Sequence, residues 1–163
     1  MSQAKSLVSP VSWPPADSNG YMEFVVPLSV DGVTVEGLSL RGACYESHAN
    51  ESVMLQIEVG KPGIRTRIPL SRVDWRPLNG PHRNPRSGNS EYSGLVIGGS
   101  HYHPFDLNWV NANLTMRSGN LPFAIEILPD FQSFAEMVDF VEKRFKINKL
   151  GQIEYPRWVE RLL

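Results

Sequence analysis

Between Tyr21 and Val73 the chain is a succession of β-rich runs, each closed by a turn signal, and this punctuation constrains the fold more than any other feature. Phe24-Val25-Val26 and Leu28-Ser29-Val30 lead into Asp31-Gly32, after which Val33, Val35 and Gly37 alternate with Thr34, Glu36 and Leu38. An Asp-Gly pair between such runs marks a type I′ hairpin, whose two central residues must both take positive φ. Further runs at 38–45, 53–59 and 64–73 are separated by His48-Ala49-Asn50 and by Lys61-Pro62-Gly63. Thirteen glycines and thirteen prolines in 163 residues supply the turns that such a chain needs and argue against a helical bundle. The simplest arrangement is an antiparallel meander.

Outside that region the pattern changes. Residues 1–19 show neither helical nor strand period, and Pro10 and Trp13-Pro14-Pro15 favour extended, unpaired backbone, so a flexible N-terminal arm is expected there. Residues 20–163 are then expected to form a single α+β domain. The stretch 76–93 is crowded with Pro, Gly, Asn and Ser and reads as a long loop. Leu95-Val96-Ile97 and Phe123 with Ala124-Ile125-Glu126-Ile127 read as strands, whereas 108–120 favours neither period. Ser133-Phe134-Ala135-Glu136 is a capping-box pattern opening a segment in which Phe134, Val138, Val141 and Phe145 recur on one face. The fold class expected is therefore α+β: an antiparallel β-sheet meander with one C-terminal amphipathic helix packed on it. Tyr155-Pro156-Arg157-Trp158 reads as a tail suited to docking or to a partner.

Sixteen Lys and Arg against seventeen Asp and Glu give a net charge of −1, which excludes a uniformly basic nucleic-acid coat. The single cysteine, Cys44, allows no intrachain disulfide and no cysteine-rich zinc module, and its apolar surroundings point to an inert thiol. No apolar run approaches the roughly 20 residues that span a bilayer, and Met1 to Lys5 is not followed by a signal-peptide stretch. A cytoplasmic protein without membrane contact is expected.

Charge is nonetheless concentrated locally. Lys61, Arg65, Arg67, Arg72, Arg76, Arg83 and Arg86 fall in one segment whose only acidic residue is Asp74. Six of these seven cations are arginines, whose planar fork grips phosphate oxygens in two-point contacts, although sheet edges are also commonly guarded by charge. Three of the four histidines lie in or just after this segment: His82, then His101 and His103 in a His-Tyr-His triplet. In a strand, His101 and His103 point to the same face, about 7 Å apart along the backbone. Three uses fit that pattern. The pair can act as general base and general acid on a phosphodiester beside an arginine. They can hold a divalent metal with Asp106 or Asp74 as oxygen ligand, though no cofactor is required. They can also be packed, hydrogen-bonded histidines at a strand end. Trp75, Tyr102 and Trp109 are candidates for stacking on bases.

Arg72-Val73-Asp74-Trp75, Pro81-His82-Arg83-Asn84-Pro85 and His101-Tyr102-His103 together resemble the central signature of TumE-like proteins, small prokaryotic toxin-like proteins encoded beside helix-turn-helix antitoxins. The likeness is closer to a related prokaryotic family with a Pro-His-x-Asn-Pro step, a His-x-His triplet and a C-terminal amphipathic helix. It spans residues 72–147, with Arg83 where the TumE-like pattern has a second histidine and 76–80 as an insertion. The resemblance implies a site made of Arg72, Asp74, His82, His101 and His103. The expected function is a toxin-like, defence-associated or phage-associated protein that cleaves or binds RNA. His101, His103 and His82 would be catalytic, Arg72, Arg76 and Arg83 would contact substrate, and Asp74 would orient. RNA or another anionic partner is expected, with a cognate antitoxin or defence-complex protein as a protein partner. The alternative is a non-catalytic interaction factor, such as a phage-encoded inhibitor, docking through the arginine-rich segment.

Overall fold

A computed structural model describes residues 3–60, 67–87 and 90–159. Its strands are β1 (Lys5–Leu7), β2 (Tyr21–Val30), β3 (Val33–Tyr45), β4 (Val53–Gly60), β5 (Arg67–Trp75), β6 (His82–Arg83), β7 (Val96–Ile97), β8 (His101–His103), β9 (Ile125–Glu126) and β10 (Ile147–Asn148). The helices are α1 (Phe105–Arg117) and α2 (Phe134–Phe145). Among the described residues eight strands form one sheet in the order β10-β1-β2-β3-β4-β5-β8-β9, and β6 pairs with β7 in a separate ribbon. The meander expected from the turn signals is its centre, β2 to β5, each strand antiparallel to the next. Asp31 and Gly32 have φ of 50° and 78°, the two positive values that the hairpin requires. The turn signal at 61–63, the first residues of the run at 64–73, and with them Lys61 and Arg65, lie outside the described residues.

Strand alternation decides what the sheet buries. Met22, Phe24, Val26 and Leu28 of β2, Val53, Leu55 and Ile57 of β4, and Val73 and Trp75 of β5 form one cluster with Phe134, Met137, Val138, Val141 and Phe145 of α2. The spacing of the α2 residues is the 3.6-residue period legible in the sequence. Ser133 caps the helix by accepting from the Glu136 amide, while the Glu136 carboxylate reaches back to the Gln132 amide. At the other end the Lys5 ammonium donates to the Phe145 carbonyl at 3.0 Å, satisfying one of the orphan acceptors of the last turn. Away from this core Glu58, 1% exposed, accepts from Arg41, Arg67 and Gln56 at 2.9, 3.0 and 2.8 Å, so its buried charge is fully partnered.

Three expectations need correction. Among the described residues there are two α-helices rather than one: α2 lies where the capping box puts it, and α1 fills most of the stretch 108–120 that shows no period. It has no side-chain N-cap, contains Asn108, Asn111, Asn113 and Thr115, bends at Ala112 (φ −152°, ψ 39°) and buries only Asn108 and Met116, so no apolar stripe marks it. Residues 1–19 are not a free arm over their described length. Lys5–Leu7 pairs antiparallel with β2 and parallel with β10, and Trp13 is buried edge-on to Phe24 at 4.8 Å while its Nε1 donates to the Glu154 carbonyl. Isolated anchors between prolines leave no period to read. The loop 76–93 carries β6, paired through His82 and Arg83 with Ile97 and Val96. Of the two roles read for the tail at 155–158 it takes the first, docking on the chain's own core with Tyr155 and Trp158 against Phe134. Among the described residues no helix is long and apolar enough to cross a membrane.

Candidate functional site

The register of the last central strands assembles the site. β5 pairs with β8 so that Arg72 lies opposite His103 and Asp74 opposite His101. Because side chains alternate, these four residues share the face opposite Val73, Trp75 and Tyr102, which join the core, Trp75 against Phe131 and Tyr102 against Phe140 of α2. β7 leads into β8 through Gly98-Gly99, which brings its partner β6, and with it His82, over the same spot. The ring centroids of His82, His101 and His103 stand 4.9–5.0 Å apart in a near-equilateral triangle. Sequence-distant His82 thus completes the pair that strand parity places together.

Each imidazole is oriented by a backbone carbonyl. His101 Nδ1 donates to Gly99 at 2.9 Å, His103 Nδ1 to Phe123 at 3.1 Å and His82 Nε2 to Pro122 at 3.0 Å. A carbonyl only accepts, so these nitrogens carry the protons, and Nε2 of His101, Nε2 of His103 and Nδ1 of His82 keep lone pairs in the neutral rings. Asp74 Oδ2 lies 3.4 Å from His101 Nε2 and 3.2 Å from His103 Nε2. Arg72 bridges them, its Nε donating to Asp74 at 2.7 Å and its Nη2 to His103 Nε2 at 3.0 Å.

The electrostatics follow from burial and charge. Desolvation, helped by the Arg72 guanidinium, pushes His103 down to about 4, against the pull of Asp74. Desolvation raises Asp74, but the adjoining His103 ring and the positive charge of Arg72 outweigh it and hold the carboxyl at about 2. Both directions fit one arrangement: a charged Asp74 partnered by Arg72, beside a neutral His103. Burial also lowers His82.

Arg72, Asp74, His82, Arg83 and His101 line an open cavity of about 340 Å³, walled by Pro77, Asn79 and Gly80 of the loop after β5. His103 does not line it. It is completely buried and both of its nitrogens are engaged, so it holds the others in place, and the expected His101/His103 acid–base pair is replaced at the cavity by His101 and His82. Arg76 is not at the cavity either: it donates to Asp130 at 2.6 Å and to the Phe131 carbonyl, a tie between the end of β5 and the approach to α2. Asp106 lies on helix α1 and lines a different cavity, with Tyr102 and Arg144. Trp75 is fully buried, which removes it as a base-stacking residue; half-buried Tyr102 packs on Phe140 away from the histidines, and Trp109 is exposed beside Phe105. His48 sits elsewhere, against Tyr45. Cys44 is buried and its thiol is pushed up to about 12 by desolvation, in keeping with an inert role.

Two buried asparagines brace the segments around the site. Buried Asn84 accepts from the Ala124 amide and from His82 Nε2, and donates to the Ala124 and Tyr92 carbonyls. Buried Asn108 accepts from the Phe123 amide and donates to the Phe123 and Pro104 carbonyls. Asn84 stands in the quoted Pro-His-x-Asn-Pro step, so a signal existed; Asn108 had none. A comparison of the chain with family models, with curated proteins and with solved structures finds no match.

Proposed function

We propose that this protein hydrolyses phosphodiester bonds of RNA in the cavity above β5 and β8. The observation that carries this reading is the convergence of His82, His101, Asp74 and Arg72 on a cavity whose rim bears the exposed Arg83, with His103 packed behind them. Two guanidiniums against one carboxylate leave the cavity wall with a positive excess suited to a phosphate. The lone pairs on His82 and His101 suit either taking a proton from water or holding a cation that activates it. In the hydrolysis one water is consumed. Its oxygen bonds to phosphorus, the bond from phosphorus to the leaving sugar oxygen breaks, and a proton ends on that oxygen. His103 is a positioning residue, and Arg72 and Arg83 are the phosphate contacts. The choice of RNA, and a toxin-like or defence setting with an antitoxin or defence-complex protein as partner, rest on the resemblance to TumE-like proteins in the same residues.

The test is incubation of total RNA with wild type and with His82→Gln and His101→Gln proteins shown to be folded by circular dichroism. Cleavage by wild type that falls by about 100-fold in each variant is expected. No cleavage by wild type, or equal cleavage by the variants, contradicts the proposal and turns attention to a docking role for the exposed Arg83 and Arg86.

A further inference from the structure

We infer that His82, His101 and His103, with Asp74, form a binding site for one divalent transition-metal ion of the Zn²⁺ class. One ring nitrogen from each imidazole lies within 4.8 Å of one from each of the others. Ligands at the bond lengths zinc prefers, about 2.0–2.1 Å, stand about 3.3 Å from one another in a tetrahedron. Asp74 Oδ2 already lies 3.4 and 3.2 Å from the two β8 nitrogens, so two of the six edges of that tetrahedron are at their final spacing. His82, on the short β6–β7 ribbon, has the adjustment to make. A triangle with 4.8 Å edges has a centre about 2.8 Å from its corners, so less than about 1 Å of ring movement closes it.

The outer shell is the stronger observation. Three separate carbonyls, at Gly99, Pro122 and Phe123, take the remaining N–H of the three rings; Asn108 donates to that of Phe123, and Asn84 to that of the next residue, Ala124. That is the arrangement that orients metal-binding histidines and selects their tautomers. It leaves the Nε2 lone pairs of His101 and His103 turned toward the Asp74 carboxylate, with the His82 ring beside them, a set of acceptors that needs a cation. Arg72 supplies one only to Asp74 and His103; His101 Nε2 meets the carboxylate. A proton on one ring relieves one contact, whereas a metal ion relieves all of them together. On binding, Arg72 Nη2 leaves His103 Nε2 and can turn into the cavity while Nε stays on Asp74, as suits a side chain that is 28% exposed. Imidazole-rich donors select Zn²⁺, Co²⁺, Ni²⁺ or Fe²⁺ over Ca²⁺ and Mg²⁺.

The ion site stands on this geometry alone; its use in RNA cleavage rests on the function proposed above, and the experiment separates the two. The full chain, freed of metal by a chelator and dialysed, is titrated with ZnCl₂ by calorimetry near pH 7. One ion per chain with a Kd below about 1 µM is expected. His82→Ala and His101→Ala should weaken binding by about 100-fold, the upper end of what losing an outer-shell partner alone costs, while His48→Ala should leave it within threefold. Binding weaker than about 100 µM, or equal binding by wild type and both cavity variants, overturns the inference. If the variants do not fold, Co²⁺ added to wild type decides: intense visible bands of tetrahedral imidazole coordination are expected, and the spectrum of hydrated Co²⁺ alone overturns it. Tight binding without RNA cleavage supports the ion site and removes the RNA reading. Cleavage that survives chelation, with no stoichiometric binding, removes the ion site and keeps the RNA reading.

Discussion

Replacing Asn108 probes the scaffold under the histidines with a magnitude that the hydrogen bonds define. Its amide makes three bonds of 2.8–2.9 Å inside a fully buried pocket. In Asn108→Ala two of the three partners keep another bond: the Phe123 carbonyl retains His103 Nδ1, and the Pro104 carbonyl retains the residue-108 amide at 3.2 Å. Only the Phe123 N–H is orphaned. One buried orphan costs about 1–3 kcal/mol, and two weakened carbonyls add roughly 0.5–1 kcal/mol each, so a loss of about 2–5 kcal/mol is expected. For a chain of this size that is about 4–20 °C in Tm. Asn108→Asp keeps the acceptor for Phe123 but aims a carboxylate oxygen at two carbonyls, so at pH 7 it should be less stable than the alanine variant. Its buried carboxyl would have a folded-state pKa above the unfolded value, so its deficit should shrink as pH falls from that raised pKa toward about 4 and the protonated form becomes a donor. Urea denaturation with unchanged m reads all of this. A loss below about 1 kcal/mol for Asn108→Ala, or an aspartate variant at least as stable as the alanine variant near pH 7, refutes the reasoning.

Three other outcomes are expected. Cys44, with its thiol pushed up to about 12, should resist alkylation in the native protein near pH 8 and react only on unfolding; rapid stoichiometric labelling of folded protein contradicts its placement. Arg76→Ala should cost about 1–2 kcal/mol by breaking its ties to Asp130 and Phe131, yet leave RNA affinity within twofold, where Arg72→Ala and Arg83→Ala weaken it with a strong salt dependence; filter binding at several salt concentrations separates them. Trp13→Ala should lose about 3–5 kcal/mol in thermal or urea melts, because the ring is core against Phe24 and Phe134; a free arm would show no change.

What was legible in the sequence follows physical period. Alternation in 21–73 and the Asp31-Gly32 turn locate the central meander, and the 3.6-residue recurrence of Phe134, Val138, Val141 and Phe145 locates α2. Strand parity also places His101 beside His103, and the cross-strand register adds Arg72 and Asp74 to that face. Contacts between distant segments were not legible. His82 reaches the site only because β6 pairs with β7, two residues each, too short for any pattern. α1 has no apolar stripe, and its one buried polar anchor, Asn108, looks like any surface asparagine until its partner at Phe123 is known. Arg76 resembles the other arginines of its segment, and only its tie to Asp130 removes it from the site.

The most direct test of the cavity as the place where RNA is handled is the imidazole ¹⁵N spectrum of histidine-labelled protein, recorded with and without a short single-stranded RNA. Nδ1-protonated rings at His101 and His103 and an Nε2-protonated ring at His82 are expected in the free protein. Added RNA should move the His82 and His101 signals and leave His48 in place. RNA binding that moves His48 or distant backbone amides while His82 and His101 stay fixed would contradict the claim.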